Sequence, residues 1–198
     1  MIVYLGMPKC ASTWLWNKII HNFSDGLIKE PHTLVEHGKL NNPFIDFSTN
    51  NWSMDSSTVR TIDKDVSRYI FIVRDPMELA NSYYQQTAME GESFNDFVFT
   101  LVKTKLLCYG DIIERWYNLV DRNKILIYDY NKDIQNKQEQ FVKDICQKLD
   151  IDDFDRSVPL EKKIFATEHK TTHTCDDRLL DQLKKQMDKF YDISDSRL

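Results

Sequence analysis

Residues 2–23 read IVYLG, MPKCAS, TWLWNKIIHNF, and the order of these three words decides the fold. IVYLG is a short apolar run that stops at Gly6, as a buried parallel strand does. MPKCAS is a tight loop of mostly small residues carrying Lys9. In the third word the apolar side chains fall at Leu15, Trp16, Ile19, Ile20 and Phe23, the spacing of one helical face. Strand, short loop and helix N-terminus in succession make an anion site. The first helical amides have no internal partner, and the helix dipole favours negative charge beside them. Lys9 adds a full positive charge, and Ser12 and Thr13 add hydroxyl donors. The word departs from the standard P-loop, Gly-x4-Gly-Lys-Ser/Thr. Ala11 stands five positions after Gly6, Ser12 precedes Thr13, and the lysine comes early. Taken alone, the same residues also suit an ordinary strand–helix turn with an incidental lysine.

Outward from this unit, Tyr69-Ile70-Phe71-Ile72-Val73 is the clearest strand, aromatic and β-branched with both faces apolar. It ends at Arg74. Asp75 can cap the helix that follows, Pro76 suits its first position and Glu78 its third, and the helix would bury Leu79, Ala80, Tyr83 and Tyr84. A short strand over 27–30 would end at Lys29-Glu30. Ligands in open α/β sheets gather at the carboxyl ends of strands, which brings Glu30 near the Lys9 loop and puts Arg74 at a strand end too. Residues 31–57 are punctuated by Asn, Ser, Gly and Pro and read as a long loop with a short strand at 44–47. Such a loop covers an acceptor site or is simply loosely ordered surface.

The pattern predicts further helices over 58–65, 94–105 and 111–120, the last two separated near Gly110. A strand over 124–128 precedes a long amphipathic helix over 133–149, with Ile134, Phe141, Ile145 and Leu149 on one side. Residues 150–176 are irregular and polar. A final helix over 178–191 carries Leu179, Leu180, Leu183, Met187 and Phe190. Strands alternate with helices, so the class is α/β with a parallel sheet, and 198 residues suit a single domain, 1–198.

The net charge of −5 argues against a nucleic-acid partner, which calls for a basic face, but leaves room for a local anion site. No segment reaches the length of a membrane span. The strand-like run from Ile2 leaves no basic leader and no cleavage site. The four cysteines (Cys10, Cys108, Cys146 and Cys175) are scattered without a CxxC and read as reduced thiols. Together these describe a soluble cytoplasmic protein that does not bind membranes.

Three words in order carry a family resemblance. Pro8-Lys9-Cys10-Ala11-Ser12-Thr13-Trp14-Leu15 resembles the 5′-phosphosulfate loop, usually written PKSGTTWL, of sulfotransferases that use PAPS (3′-phosphoadenosine 5′-phosphosulfate). Ile72-Val73-Arg74-Asp75-Pro76, followed by Ser82-Tyr83-Tyr84, resembles the same family's 3′-phosphate motif. Lys29-Glu30-Pro31-His32 resembles the KExH segment of the heparan-sulfate branch. The resemblance implies a three-layer sandwich around a central parallel sheet, the P-loop NTPase-like sulfotransferase fold. It implies transfer of a sulfuryl group from PAPS to a hydroxyl or amine, giving PAP, with no metal. The acceptor would be a small molecule or a glycan; self-association into a homo-oligomer stays open.

The resemblance also distributes roles. Sulfuryl transfer resembles phosphoryl transfer, in which the protein positions the reactants and stabilises charge. Lys9 would meet the bridging oxygen of the 5′-phosphosulfate, a task suited to a mobile point charge. Pro8, Cys10, Ala11, Ser12 and Thr13 would shape the 5′-phosphate cradle around it. Trp14 matches the tryptophan that stacks on adenine in the cytosolic branch, and equally suits a core position on the first helix. Arg74 and Ser82 would hold the 3′-phosphate, the arginine by a forked contact; a strand-end arginine also pairs readily with an acid. Glu30 would be the catalytic base, its weak basicity raised by burial, with His32 orienting the acceptor or serving as the base itself. Glu30 would otherwise partner Lys29 or Lys9, and His37 is a weaker candidate.

The chain departs from the family in two places. The heparan-sulfate branch often carries a lysine in an EKTPxY-like word, where Asp46-Phe47-Ser48-Thr49 and Asn50-Asn51-Trp52 stand here. The late Arg-Lys-Gly word of the cytosolic branch is absent, and Lys162, Lys163, His169 and Lys170 have no clear counterpart. Two other readings remain: a P-loop small-molecule or nucleotide kinase, which lacks a convincing Walker-B acid, and a non-catalytic nucleotide-binding module. His169, His173 and Cys175 form H-x3-H-x-C without an evident fourth zinc ligand. A Cys10 thiol phosphatase is excluded because Trp16 stands where its loop needs an arginine.

Overall fold

Strands β1 (Ile2–Tyr4), β2 (Ile45–Asp46), β3 (Arg68–Val73) and β4 (Ile125–Asp129) pair in parallel in the order β2-β1-β3-β4 in a computed structural model of the chain. The residues it describes are 1–7, 9, 10, 15, 45, 46, 50–150 and 172–195. Among the described residues the α-helices with both ends defined are α1 (Ser56–Ile62), α2 (Pro76–Thr87), α3 (Phe94–Lys103), α4 (Tyr109–Tyr117), α5 (Gln138–Lys148) and α6 (Asp177–Asp195). The α/β class with a central parallel sheet is the one read from the sequence. Two compact units divide the chain: Met1–Val73 with Arg122–Ala166, and Arg74–Asp121 with Thr167–Leu198.

The first unit is built on the sheet. Val3, Tyr4 and every residue from Tyr69 to Val73 are fully buried, so β1 and β3 are covered on both faces, as a parallel sheet requires. Asp63 joins three pieces of this unit. Its carboxylate accepts from the Tyr69 hydroxyl at 3.1 Å and from Lys124 Nζ at 3.1 Å, and Lys124 also donates to the Asp63 carbonyl at 2.6 Å. Burial and the facing Asp63 push the Tyr69 phenol far up, so it stays a neutral donor.

Helix α1 begins two residues before the sequence pattern placed it. Asp55 accepts from the Ser57 and Thr58 amides, both at 2.9 Å, which turns two serines of loop-like propensity into a first helical turn. The Ser57 and Thr58 hydroxyls bond the same carboxylate and hold it far below the usual range.

The single helix expected over 133–149 is two pieces. A wide π-helical turn over Tyr130–Gln135 leaves β4 directly, and α5 starts only at Gln138. Asp129 accepts from the Asn131 and Lys132 amides, and Asp133 reaches back to accept from the Asp129 amide at 2.7 Å. Lys137 departs from helical geometry between the two pieces (φ −137°, ψ 43°). Ile134, Phe141 and Ile145 are buried as expected, whereas Leu149 is half-buried.

The second unit is helical. Gly110, read as a separator, lies in the first turn of α4; the break falls at residues 104–108, where Lys105 takes a left-handed φ of 64°. Gly110 is a contact, not a breaker: a Cβ there would meet Lys189 Cβ and Cγ at 2.8 Å and the Gln186 carbonyl at 2.9 Å. Helices α4 and α6 approach this closely because position 110 has no side chain. Around the contact, Lys189 Nζ donates to Asp111 and Glu114 at 2.8 Å each. Gln186 Oε1 accepts from the Asp111 amide at 3.2 Å, a helix cap supplied by another helix. Among the described residues, no helix is long and apolar enough to cross a membrane.

Candidate active site

The parallel strands of the first unit present their carboxyl ends at one edge. β1 pairs with β3 through Tyr4 opposite Ile70, and the Leu5 amide adds one more bond to the Ile70 carbonyl at 2.7 Å. There the chain leaves the sheet and turns. Leu5, Met7 and Cys10 are fully buried, while Lys9 is half-buried. Lys9 adopts a left-handed φ of 67°, which costs an L-residue about 1–2 kcal/mol. The turn is closed by the Cys10 amide, which donates to the Met7 carbonyl at 3.3 Å, and by the Tyr4 hydroxyl, which donates to the Cys10 carbonyl at 2.9 Å. Leu15 is helical and fully buried, as the apolar face of the third word requires. This turn holds a half-buried cation, and a lysine so placed can offer a point charge to an anion.

In the second unit Arg74 follows β3 by one peptide bond. Asp75 caps α2, accepting from the Met77 amide at 3.0 Å and the Glu78 amide at 2.9 Å, with Pro76 in the first turn. The cap forms as the sequence predicts, but the Glu78 side chain turns to Arg74: Oε2 lies 3.4 Å from Nε. The Arg74 side chain is 19% exposed and that of Glu78 49%. At this length and exposure the contact is a weak one. Ser82 is half-buried two turns into α2. The helix buries Leu79 and Ala80, while Tyr83 and Tyr84 are half-buried; Tyr84 lies edge-on to Phe94, Phe97 and His173 and donates to the Glu92 carbonyl.

Lys9 and Cys10 thus belong to the first unit, and Arg74 and Ser82 to the second. Pro8, Ala11, Ser12, Thr13, Trp14, Glu30, His32 and His37 lie outside the described residues. So do the strand expected over 27–30, most of the 31–57 loop, and Lys162, Lys163, His169 and Lys170. The short strand expected at 44–47 is β2. Of the zinc pattern, His173 stacks on Phe94 at 5.2 Å between centroids, and Cys175 Sγ lies 3.7 Å from Met77 Sδ. Among the described residues, no three metal-ligating side chains converge.

Three residues have a part here that the sequence reading did not give them. Tyr4 and Gly6 shape the Lys9 turn, and Asn81, beside Ser82, grips the backbone of His173. Asn81 accepts from the His173 amide at 2.7 Å and donates to its carbonyl at 3.0 Å.

The fold is similar to that of a sulfotransferase from Alicyclobacillus acidocaldarius, with a TM-score of 0.67 and 11% identity over 97% of this chain and 94% of that one. It is also similar to mouse sulfotransferase SULT7A1, solved in complex with PAP, with a TM-score of 0.56 and 20% identity over 78% of this chain and 59% of that one. A search of curated proteins finds no match. At these identities the likeness speaks to the fold alone. The sequence itself goes further: the family model for the sulfotransferase domain matches residues 2–191, from the first strand to the last helix, and the chain belongs to that family.

Proposed function

We propose that this chain is a PAPS-dependent sulfotransferase, a transferase that moves a sulfuryl group onto a hydroxyl or amine of a small-molecule or glycan acceptor and releases PAP. The observation that carries the reading is the Lys9 turn: a half-buried lysine, held left-handed just past β1, inside a chain whose family match begins at residue 2. Residues 8–14 would cradle the 5′-phosphosulfate, and Arg74 and Ser82 the 3′-phosphate. Arg74 stands one residue past β3 with its side chain 19% exposed, and a guanidinium there can make a forked contact with phosphate. Bound PAPS supplies an activated sulfuryl group and a leaving oxyanion. Glu30 takes the acceptor proton as the acceptor oxygen or nitrogen bonds to sulfur, and His32 orients the acceptor. The bond from sulfur to the bridging oxygen breaks, its electron pair leaves with PAP, and Lys9 neutralises the growing charge. No metal is needed for this step. The family match spans both compact units, which supports one catalytic domain over 1–198. The four free, buried thiols fit a reducing, cytoplasmic setting.

Thermal unfolding with PAP, AMP and ATP–magnesium in parallel tests the donor. A ligand at a hundred times its Kd adds about 2.7 kcal/mol, or a rise of roughly 5–10 °C for a chain this size. PAP should give that rise and AMP little. A rise with ATP–magnesium alone would turn the reading to a kinase, and no rise with any of them would remove it. Glu30→Gln should abolish turnover while PAP still binds; surviving turnover would move the base to His32.

A further inference from the structure

The turn that carries Lys9 is fastened to the sheet by a side chain outside the motif words. Tyr4 ends β1 and is fully buried. Its phenol folds back across the backbone of Gly6, so closely that a Cβ at position 6 would stand in van der Waals overlap with the phenol oxygen and Cζ. From there the hydroxyl donates to the Cys10 carbonyl at 2.9 Å in a buried hydrogen bond. Residues 4–10 are thereby closed into a ring that contains Lys9. Gly6 is not in the left-handed region; what it provides is the space for the phenol.

We infer that Tyr4 is a positioning residue for sulfuryl transfer: seated over Gly6, its hydroxyl pins the Cys10 carbonyl and holds Lys9 in the left-handed conformation from which it meets the donor's anion. Loss of the pin removes one restraint from a turn whose φ of 67° at Lys9 is unfavourable for an L-residue. A peptide group is planar, so fixing its carbonyl fixes the whole group and with it the floor of the turn. The effect on ligand binding rests on the proposed anion-binding role of the loop. The effect on the turn itself does not.

The test compares Tyr4→Phe with Tyr69→Phe. Tyr69 is also fully buried on the sheet and also donates through its hydroxyl, but to Asp63 and away from the turn. The first readout is alkylation of Cys10, fully buried in the wild type, by N-ethylmaleimide under native conditions, followed peptide by peptide. The second is the dissociation constant for PAP, with kcat and KM for the donor once an acceptor is in hand. Tyr4→Phe should label Cys10 about threefold to tenfold faster, the factor expected for one net hydrogen bond. Cys108, Cys146 and Cys175 should keep their wild-type rates. PAP should bind weaker by a similar factor, whereas Tyr69→Phe should change neither readout. Gly6→Ala keeps the hydroxyl but drives a methyl into the phenol, and should reproduce both effects by a second route. Unchanged Cys10 labelling in folded Tyr4→Phe and Gly6→Ala proteins would overturn the inference, as would equal losses of PAP affinity in Tyr4→Phe and Tyr69→Phe. Faster Cys10 labelling in a protein whose wild type binds no PAP would support the pin and overturn the proposed donor.

Discussion

Replacing Gly110 by alanine sets two opposed effects against each other in α4. Alanine is the better helix former by up to about 1 kcal/mol, and a reading of the isolated helix would expect stabilisation. The new methyl, however, would stand 2.8 Å from Lys189 Cβ and Cγ and 2.9 Å from the Gln186 carbonyl. Ordinary carbon contacts lie at about 3.5–4.0 Å, so at least roughly half an ångström of room must be made. Turning Lys189 aside does not make it. Its Cβ is fixed by the backbone of α6, its Nζ is tied to Asp111 and Glu114 at 2.8 Å, and the Gln186 oxygen is itself backbone. Helix α6 must move away from α4, an overpacking strain of about 1–3 kcal/mol. After a helix gain of about 1 kcal/mol is deducted, the net loss is up to about 2 kcal/mol, a fall in Tm of up to roughly 8 °C for a chain this size. Calorimetry on the wild type and Gly110→Ala reads this directly. A raised Tm, the outcome expected from helix propensity alone, would mean that α4 and α6 are not held at this distance, and the packing argument would fail.

Two further outcomes are expected. Arg74→Ala should weaken PAP about 10-fold to 100-fold, the value of a charge-assisted phosphate contact, and leave AMP nearly unaffected; equal losses by titration calorimetry would remove Arg74 from the 3′-phosphate site. The Asp111–Lys189 pair should show in the pH dependence of stability. The hydrogen bond from Lys189 holds the Asp111 carboxyl below its ordinary value of 3.8, so ionised Asp111 stabilises the fold above that value and the contribution is lost as pH falls through the lowered one. Lys189, raised above 10.5 by Asp111 and Glu114, contributes fully up to that value and loses its contribution as pH rises through the raised one. Asp111→Asn should therefore be less stable than the wild type at neutral pH and converge with it below pH 3.8. Denaturant midpoints across that range check it, and a gap that persists in acid would refute the assignment.

What could be read from the chain alone was local. The apolar run over 69–73 has both faces hydrophobic and can only be a covered strand, and Asp75-Pro76 carries its own helix start in side chains that bond amides two and three residues away. Strands alternating with helices already entailed a parallel sheet, and three short words in order already pointed to the sulfotransferase family. The readings that failed needed a partner distant in sequence or a choice between competing local bonds. Gly110 looks like a breaker until α6, more than seventy residues on, is laid against it. The 133–149 helix looks continuous until Asp129 and Asp133 divert its first turn into the end of β4. Asn81 carries no signal in the sequence at all; its two polar atoms are filled by the His173 backbone, 92 positions away. At the candidate site the division is the same. Residue type and order marked Lys9 and Arg74, because charge at the end of a strand is written in the sequence. The left-handed turn of Lys9 and the Tyr4 phenol seated over Gly6 were decided only when the chain closed on itself, because a buried hydrogen bond and a forbidden Cβ are properties of space and not of order.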